Sequence, residues 1–233
     1  MNVTVRLLNM EALDVRERVE PVSRADLRPS GWTDLRGAPP VTTLRYPADA
    51  VVVFAGIPGA GKSTMMHALF ATTGQERRPV ETGDGVRVLD SEQARNRWRD
   101  RLGSRLPYFL YRPLVHLTAL AWARSQLRRA GTAVLHDCGT RRWSRALIRR
   151  WSAGRAGGIH LLLLDVPAEV ALDGQENRRR RVRRRAFGRH LRAWREIVPA
   201  DGIAKPLDGF ASCTVLDRPA ASGVRRMCFG DSP

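Results

Sequence analysis

Residues 51–70 read VVVFAGIPGAGKSTMMHALF. An apolar run leads into a glycine-rich octet, the octet ends in Lys62-Ser63, and a helix-like stretch follows. The octet Gly56-Ile57-Pro58-Gly59-Ala60-Gly61-Lys62-Ser63 fits the spacing G-x-x-x-x-G-K-[ST]. Such a loop needs glycines because its backbone must curl around an anion with N–H groups pointing inward, where a Cβ would block the approach. A helix starting at the loop aims the positive end of its dipole at the same anion. In this pattern Lys62 neutralises the β- and γ-phosphates, and the Ser63 hydroxyl ligates Mg²⁺. The surroundings agree with the motif. Val51–Ala55 reads as a fully buried strand, and Met65, Met66, Leu69 and Phe70 give a helical apolar face. Gly56 through Thr64 are therefore the candidate nucleotide-binding residues.

The chain of 233 residues, 43% of them hydrophobic, is long enough for one domain with a proper core. No run of 18 apolar residues occurs, which argues against a membrane span. The N-terminus MNVTVRLLNMEALDVRERVE carries acidic residues where a secretory signal has its apolar core. Cys138, Cys213 and Cys228 are widely spaced, without metal-ligand spacing, and suit a reducing cytoplasm. The expected location is cytoplasmic. The formal charge of +17 invites a nucleic-acid partner. Lys62 and Lys205 are the only lysines, however, and the abundance of Arg, Ala, Gly and Val equally fits the codon usage of a GC-rich genome.

Residues 1–46 lack a sustained period and contain the turn signals RPSGWTD and RGAPP, so they read as an N-terminal extension that packs on the core or trails from it. From residue 47 to 233, apolar strands alternate with helical patterns. The expected strands are Val51–Ala55, Val86–Asp90, Thr132–Asp137, His160–Asp165 and Ser212–Leu216. Pro113 and Gly131 predict a helix over 114–130, Pro167 opens another, and Phe187, Leu191, Trp194 and Val198 form a helical stripe. This alternation predicts an α/β fold, a mostly parallel five-stranded sheet with helices on both faces, hence three layers. Ligands of such sheets sit at the carboxyl ends of the strands.

Several strand ends carry groups able to do chemistry. In RVLDSEQAR, Asp90 or Glu92 could accept or orient an acceptor hydroxyl, and Arg95, one turn after Glu92, could pair with it or hold an anionic acceptor. Equally, Asp90 could simply cap the next helix. In TAVLHDCGTRRWSR, Asp137 could hold the Mg²⁺ water shell, whereas His136 reads as a packed or turn histidine. Asp165 competes for the metal role but precedes Pro167, where an Asp commonly caps a helix. The run Arg178 to Arg185 could supply one or two residues to stabilise a transferring phosphoryl group, the rest forming a solvated basic face or holding a polyanion.

This layout resembles P-loop kinases of the polynucleotide-kinase-like and zeta-toxin-like group, of the nucleoside-monophosphate-kinase fold, which includes proteins called AAA family ATPases. The resemblance rests on GIPGAGKST, on Glu92 and Arg95 in place of a D-x-x-R pair, on Asp137 followed by Thr140 and Arg141, and on the arginine-rich stretch, over roughly residues 47–216. Two departures stand out: Glu replaces the usual Asp at 92, and Thr140 lies one residue late. The resemblance implies a P-loop NTPase fold with strand order 2-3-1-4-5, Asp137 rather than Asp165 as the metal residue, and a lid carrying Arg178 and Arg181. It also places Asp217 and Arg218 near the adenine. The function to expect is ATP- and Mg²⁺-dependent transfer of the γ-phosphate to a hydroxyl acceptor, either a small molecule or a nucleic-acid end. A regulatory or nucleic-acid-associated ATPase without an acceptor is the alternative.

Overall fold

Every residue of the strand Val51–Gly56 is buried, and so is every residue of Ile159–Leu164. Strands buried on both faces need cover on both faces, and they form the centre of the molecule. The computed structural model describes residues 26–177, 184–199 and 207–230. Its elements, in chain order, are β1 (Asp26–Leu27), β2 (Gly31–Asp34), β3 (Thr43–Tyr46), β4 (Val51–Gly56), α1 (Lys62–Phe70), β5 (Val80–Glu81) and β6 (Arg87–Leu89). There follow α2 (Ser91–Leu102), α3 (Tyr108–Leu127), β7 (Ala133–His136), α4 (Arg142–Trp151), β8 (Ile159–Leu164) and α5 (Ala168–Asn177). The last are α6 (Arg184–Arg195), β9 (Ser212–Leu216), α7 (Arg218–Gly223) and β10 (Arg226–Phe229).

The main sheet runs β2-β9-β8-β4-β7-β6-β5. Its middle five strands, taken in chain order, follow 2-3-1-4-5, as expected. Each edge gains a strand: β5 joins β6 antiparallel, and β2 joins β9 parallel. A small second sheet, β1-β3-β10, unites residues before the P-loop with the C-terminal strand. It is fastened to the core through β3, where Leu44 and Tyr46 are buried. The Tyr46 ring stacks on Phe229 at 6.0 Å and meets the His160 ring edge-on at 4.9 Å.

One helix boundary departs from expectation. α3 starts at Tyr108 and carries Pro113 inside it, whereas the proline predicted a start at 114. Tyr111 and Val115, on either side of Pro113, bury themselves with Ala94 of α2, so tertiary packing outweighs the lost helical hydrogen bond. Trp98 Nε1 donates to Thr118 Oγ1 at 2.8 Å and completes the α2–α3 pair. At its far end α3 is closed by the buried Arg87. That guanidinium donates to the carbonyls of Gln126 (2.9 Å), Arg129 (3.1 Å), Ala130 (2.9 Å) and Gly131 (2.6 Å). A cation at a helix C-terminus satisfies orphan carbonyls and opposes the helix dipole.

Candidate active site

The P-loop joins β4 to α1. Gly61 caps α1 with φ +103°, and no heavy atom lies within 4 Å of where its Cβ would stand. The space above it is open, as a phosphate cradle requires. Gly59 serves a different need. At φ +95° its Cβ would stand 1.9 Å from the Ala171 carbonyl oxygen of α5. Gln175 Nε2 also donates to the Pro58 carbonyl at 3.0 Å, so α5 braces the loop from outside. The Lys62 ammonium is buried inside the curl and donates to the carbonyls of Gly56 (2.8 Å) and Ile57 (3.0 Å). Ser63 is buried beside it. An open backbone curl, an ammonium and a hydroxyl together fit a nucleotide's phosphates.

Asp137 follows β7, the strand next to β4, and its N–H donates to the Phe54 carbonyl at 3.1 Å. Asp137 Oδ2 accepts from Gly139 N at 3.1 Å and from Ser144 Oγ at 2.9 Å, which fixes the carboxylate. Ser63 and Asp137 are hard oxygen donors of the kind Mg²⁺ takes, a cation that otherwise keeps waters and substrate oxygens. Asp165 has other duties. Its Oδ1 accepts from Trp194 Nε1 and its Oδ2 from Arg36 Nη1, both at 2.8 Å, so it ties α6 and the segment after β2 to the sheet.

Asp90 is buried at the start of α2 and caps it. Its Oδ1 accepts from Glu92 N at 2.9 Å, and Gln93 Oε1 accepts from Asp90 N at 3.2 Å, completing a capping box. The same Oδ1 lies 2.8 Å from His136 Nδ1, and His67 Nε2 stands 3.8 Å from Oδ2. Burial pushes this carboxyl up. The His136 charge and hydrogen bond, the Glu92 N–H and His67 outweigh it, and the net pKa falls well below the usual carboxylate range. Asp90 is therefore an ionised acceptor, which makes His136 Nδ1 the donor. In the neutral ring Nε2 then carries the lone pair.

The sequence reads His136 as a packed or turn histidine and does not show its pairing with Asp90. The register that sets Leu89 beside Leu135 brings Asp90 and His136 together, and it arises only when β6 pairs with β7. His190 of α6 was missed. Its Nδ1 is 2.9 Å from Thr140 Oγ1, and burial, then the charges of Arg141, Lys62 and Arg189, push its pKa down.

These groups share two cavities. One, of about 230 Å³, brings Lys62 and Ser63 to Asp90, Glu92, Arg95 and His136. The Arg95 guanidinium lies 4.6 Å from the Tyr108 ring centroid, a cation–π contact that holds it there. The second, of about 590 Å³, opens from Lys62, His136 and Asp137 between α3 and α4. Arg218 lies exposed at the end of β9, where Asp217 caps α7 by accepting from Ala220 N at 2.8 Å. Arg178 and Arg181 lie outside the described residues.

The AAA domain profile matches residues 51–198. The chain belongs to the AAA domain family. The match spans the P-loop and strands β4 to β8, and ends before β9. No curated protein matches the chain. Among solved structures, a gluconokinase from Sinorhizobium meliloti 1021 is similar at 17% identity and a TM-score of 0.46, over 78% of this chain and 89% of its own. A structure of the PezAT chromosomal toxin-antitoxin system of Streptococcus pneumoniae is similar at 12% identity and a TM-score of 0.39, over 57% and 53%. Neither likeness bears on what this AAA-domain chain acts on. Among the described residues no helix is long and apolar enough to cross a membrane.

Proposed function

We propose that the protein is an ATP- and Mg²⁺-dependent phosphotransferase that moves the γ-phosphoryl group of ATP to a hydroxyl acceptor. The observation that carries this reading is the shared cavity. P-loop residues Lys62 and Ser63 face Glu92, Arg95 and the Asp90–His136 pair across one space. A protein built only to hold a nucleotide has no use for a second, proton-accepting wall opposite its P-loop.

Gly56 to Thr64 hold the polyphosphate through backbone N–H groups, and Lys62 offsets charge gathering on the transferring group. Ser63 and Asp137 would hold Mg²⁺, which when bound neutralises phosphate charge. In the transfer, the acceptor oxygen bonds to the γ-phosphorus while the bond to the β–γ bridging oxygen breaks and ADP leaves. The hydroxyl proton passes to His136 Nε2 or to the Glu92 carboxylate. Asp90 acts through His136 as a positioning residue, holding the ring in the tautomer that can accept a proton. Arg95, Arg178 and Arg181 are the cations assigned to the acceptor side and the lid, and Arg218 is assigned to the adenine.

Acceptor-dependent ADP release tests the reading. Lys62→Ala is expected to abolish turnover with the fold intact, because the side chain springs from the loop and its ammonium donates to the loop carbonyls of Gly56 and Ile57. Steady ATP hydrolysis unaffected by any hydroxyl compound would replace the reading with that of an ATPase.

A further inference from the structure

The 590 Å³ cavity has a composition at odds with the rest of the chain. Its walls are Leu120 and Trp122 of α3, Leu135 of β7, and Trp143, Leu147 and Trp151 of α4. Three of the protein's 6 tryptophans therefore line one space. The chain has 40 lysines and arginines, yet among the described residues only Lys62 and Arg141 bring a fixed positive charge to this wall. Arg141 is itself engaged, its guanidinium 5.8 Å from the Trp143 ring centroid. Polar side chains line it as well, among them Lys62, Asp90, His136 and Asp137, with His116 of α3 and Ser144 of α4. The volume suits a drug-sized molecule, and an apolar pocket with a few convergent polar groups is how proteins hold one.

A nucleic-acid end would need arginines for its phosphates, and a sugar would need hydrogen-bonding groups along its length. The three indoles and the leucines of this wall supply neither, and its polar groups are few beside them. Resting on the phosphotransferase reading above, we propose that the acceptor is an uncharged, aryl-bearing alcohol. Its ring lies between α3 and α4 among Leu120, Trp122, Trp143 and Leu147, and its hydroxyl reaches the Lys62–His136 end. Flat rings favour offset or edge-on contact with indoles, and transfer of such a molecule out of water is favourable in itself.

Two readouts on the full chain test this. The first is quenching of tryptophan fluorescence by 2-(4-nitrophenyl)ethanol and by larger nitroaryl alcohols, without nucleotide. The second is ADP release and phosphorylated product, by mass spectrometry, from the same alcohols against glycerol, glucose and an oligonucleotide 5′-hydroxyl. We expect saturable quenching and a kcat/KM for the best aryl alcohol at least 100-fold above the polar acceptors. Leu147→Arg and, separately, Leu120→Arg place a charge in the cavity from half-buried positions, and each is expected to weaken aryl binding at least tenfold. MgATP affinity, measured alongside, checks that each variant is folded. Transfer to a polar acceptor with no aryl binding would overturn the aryl assignment and leave the phosphotransferase reading standing. So would aryl binding indifferent to both arginine variants. Saturable aryl binding with no transfer to any hydroxyl would instead overturn the phosphotransferase reading, and the acceptor role with it.

Discussion

Asp90 makes two separable contributions, and substituting it twice divides them. Asn caps helices about as well as Asp, so Asp90→Asn keeps the bond from Glu92 N and removes only the charge. What is lost is the ionised partner of His136 Nδ1 at 2.8 Å and the attraction to His67. A buried hydrogen bond to a charged group contributes about 1.5–3 kcal/mol. In a domain of this size that lowers Tm by about 3–12 °C at pH 7. Asp90→Ala removes the cap as well and is expected to cost about 1 kcal/mol more.

The pH dependence has a defined sign. The folded-state pKa of Asp90 is depressed, so its stabilisation is complete above the unfolded value, about 3.9, and is lost as pH falls toward the folded value. The gap between wild type and Asp90→Asn should therefore close below pH 4, by up to about 1.4 kcal/mol per pH unit. Denaturant titrations followed by circular dichroism at several pH values between 3 and 7 measure all three proteins. Equal stabilities for the Asn and Ala variants, or a gap as wide at pH 3 as at pH 7, would refute this account of the site.

Removal of the acting base, by Glu92→Gln or His136→Ala, is expected to lower kcat by about 100-fold or more while MgATP affinity stays unchanged. Whichever substitution has the smaller effect marks the residue that is not the base. Neutralising Arg178 or Arg181 should lower turnover and leave oligonucleotide retention alone, if their partner is the transferring phosphoryl group. The combined neutralisation of Arg183, Arg184 and Arg185 tests a nucleic-acid partner: each lost phosphate contact should flatten the salt dependence of binding by a slope of about 0.7–0.9. No binding at low salt would assign the +17 charge to solvated surface. Arg87→Met should cost about 1–3 kcal/mol in denaturant stability with catalysis per folded molecule intact, since it strands the last carbonyls of α3 far from the P-loop.

The P-loop, the alternation of strands with helices and the capping residue Asp90 were legible in the sequence because each is a local matter. Backbone curvature, burial periodicity and a cap are set by residues within a few positions of one another, and the chain order alone displays them. The family resemblance added the strand order and with it the choice of Asp137. What the sequence by itself could not show are pairings between distant segments. His136 lies 46 residues from Asp90 and meets it only because β6 and β7 run side by side in register. Thr140 meets His190 across 50 residues by the packing of α6. The edge strands β2 and β5 and the small sheet are short and mixed in polarity, so no periodicity announces them, and hydrogen bonds to distant partners define them. The start of α3 was misplaced because Pro113 carries a local penalty that the burial of Tyr111 and Val115 overrides. The aryl-sized cavity depends on tertiary structure most of all. Trp122, Trp143 and Trp151 are scattered over two helices, and only the gap left between those helices turns them into one wall.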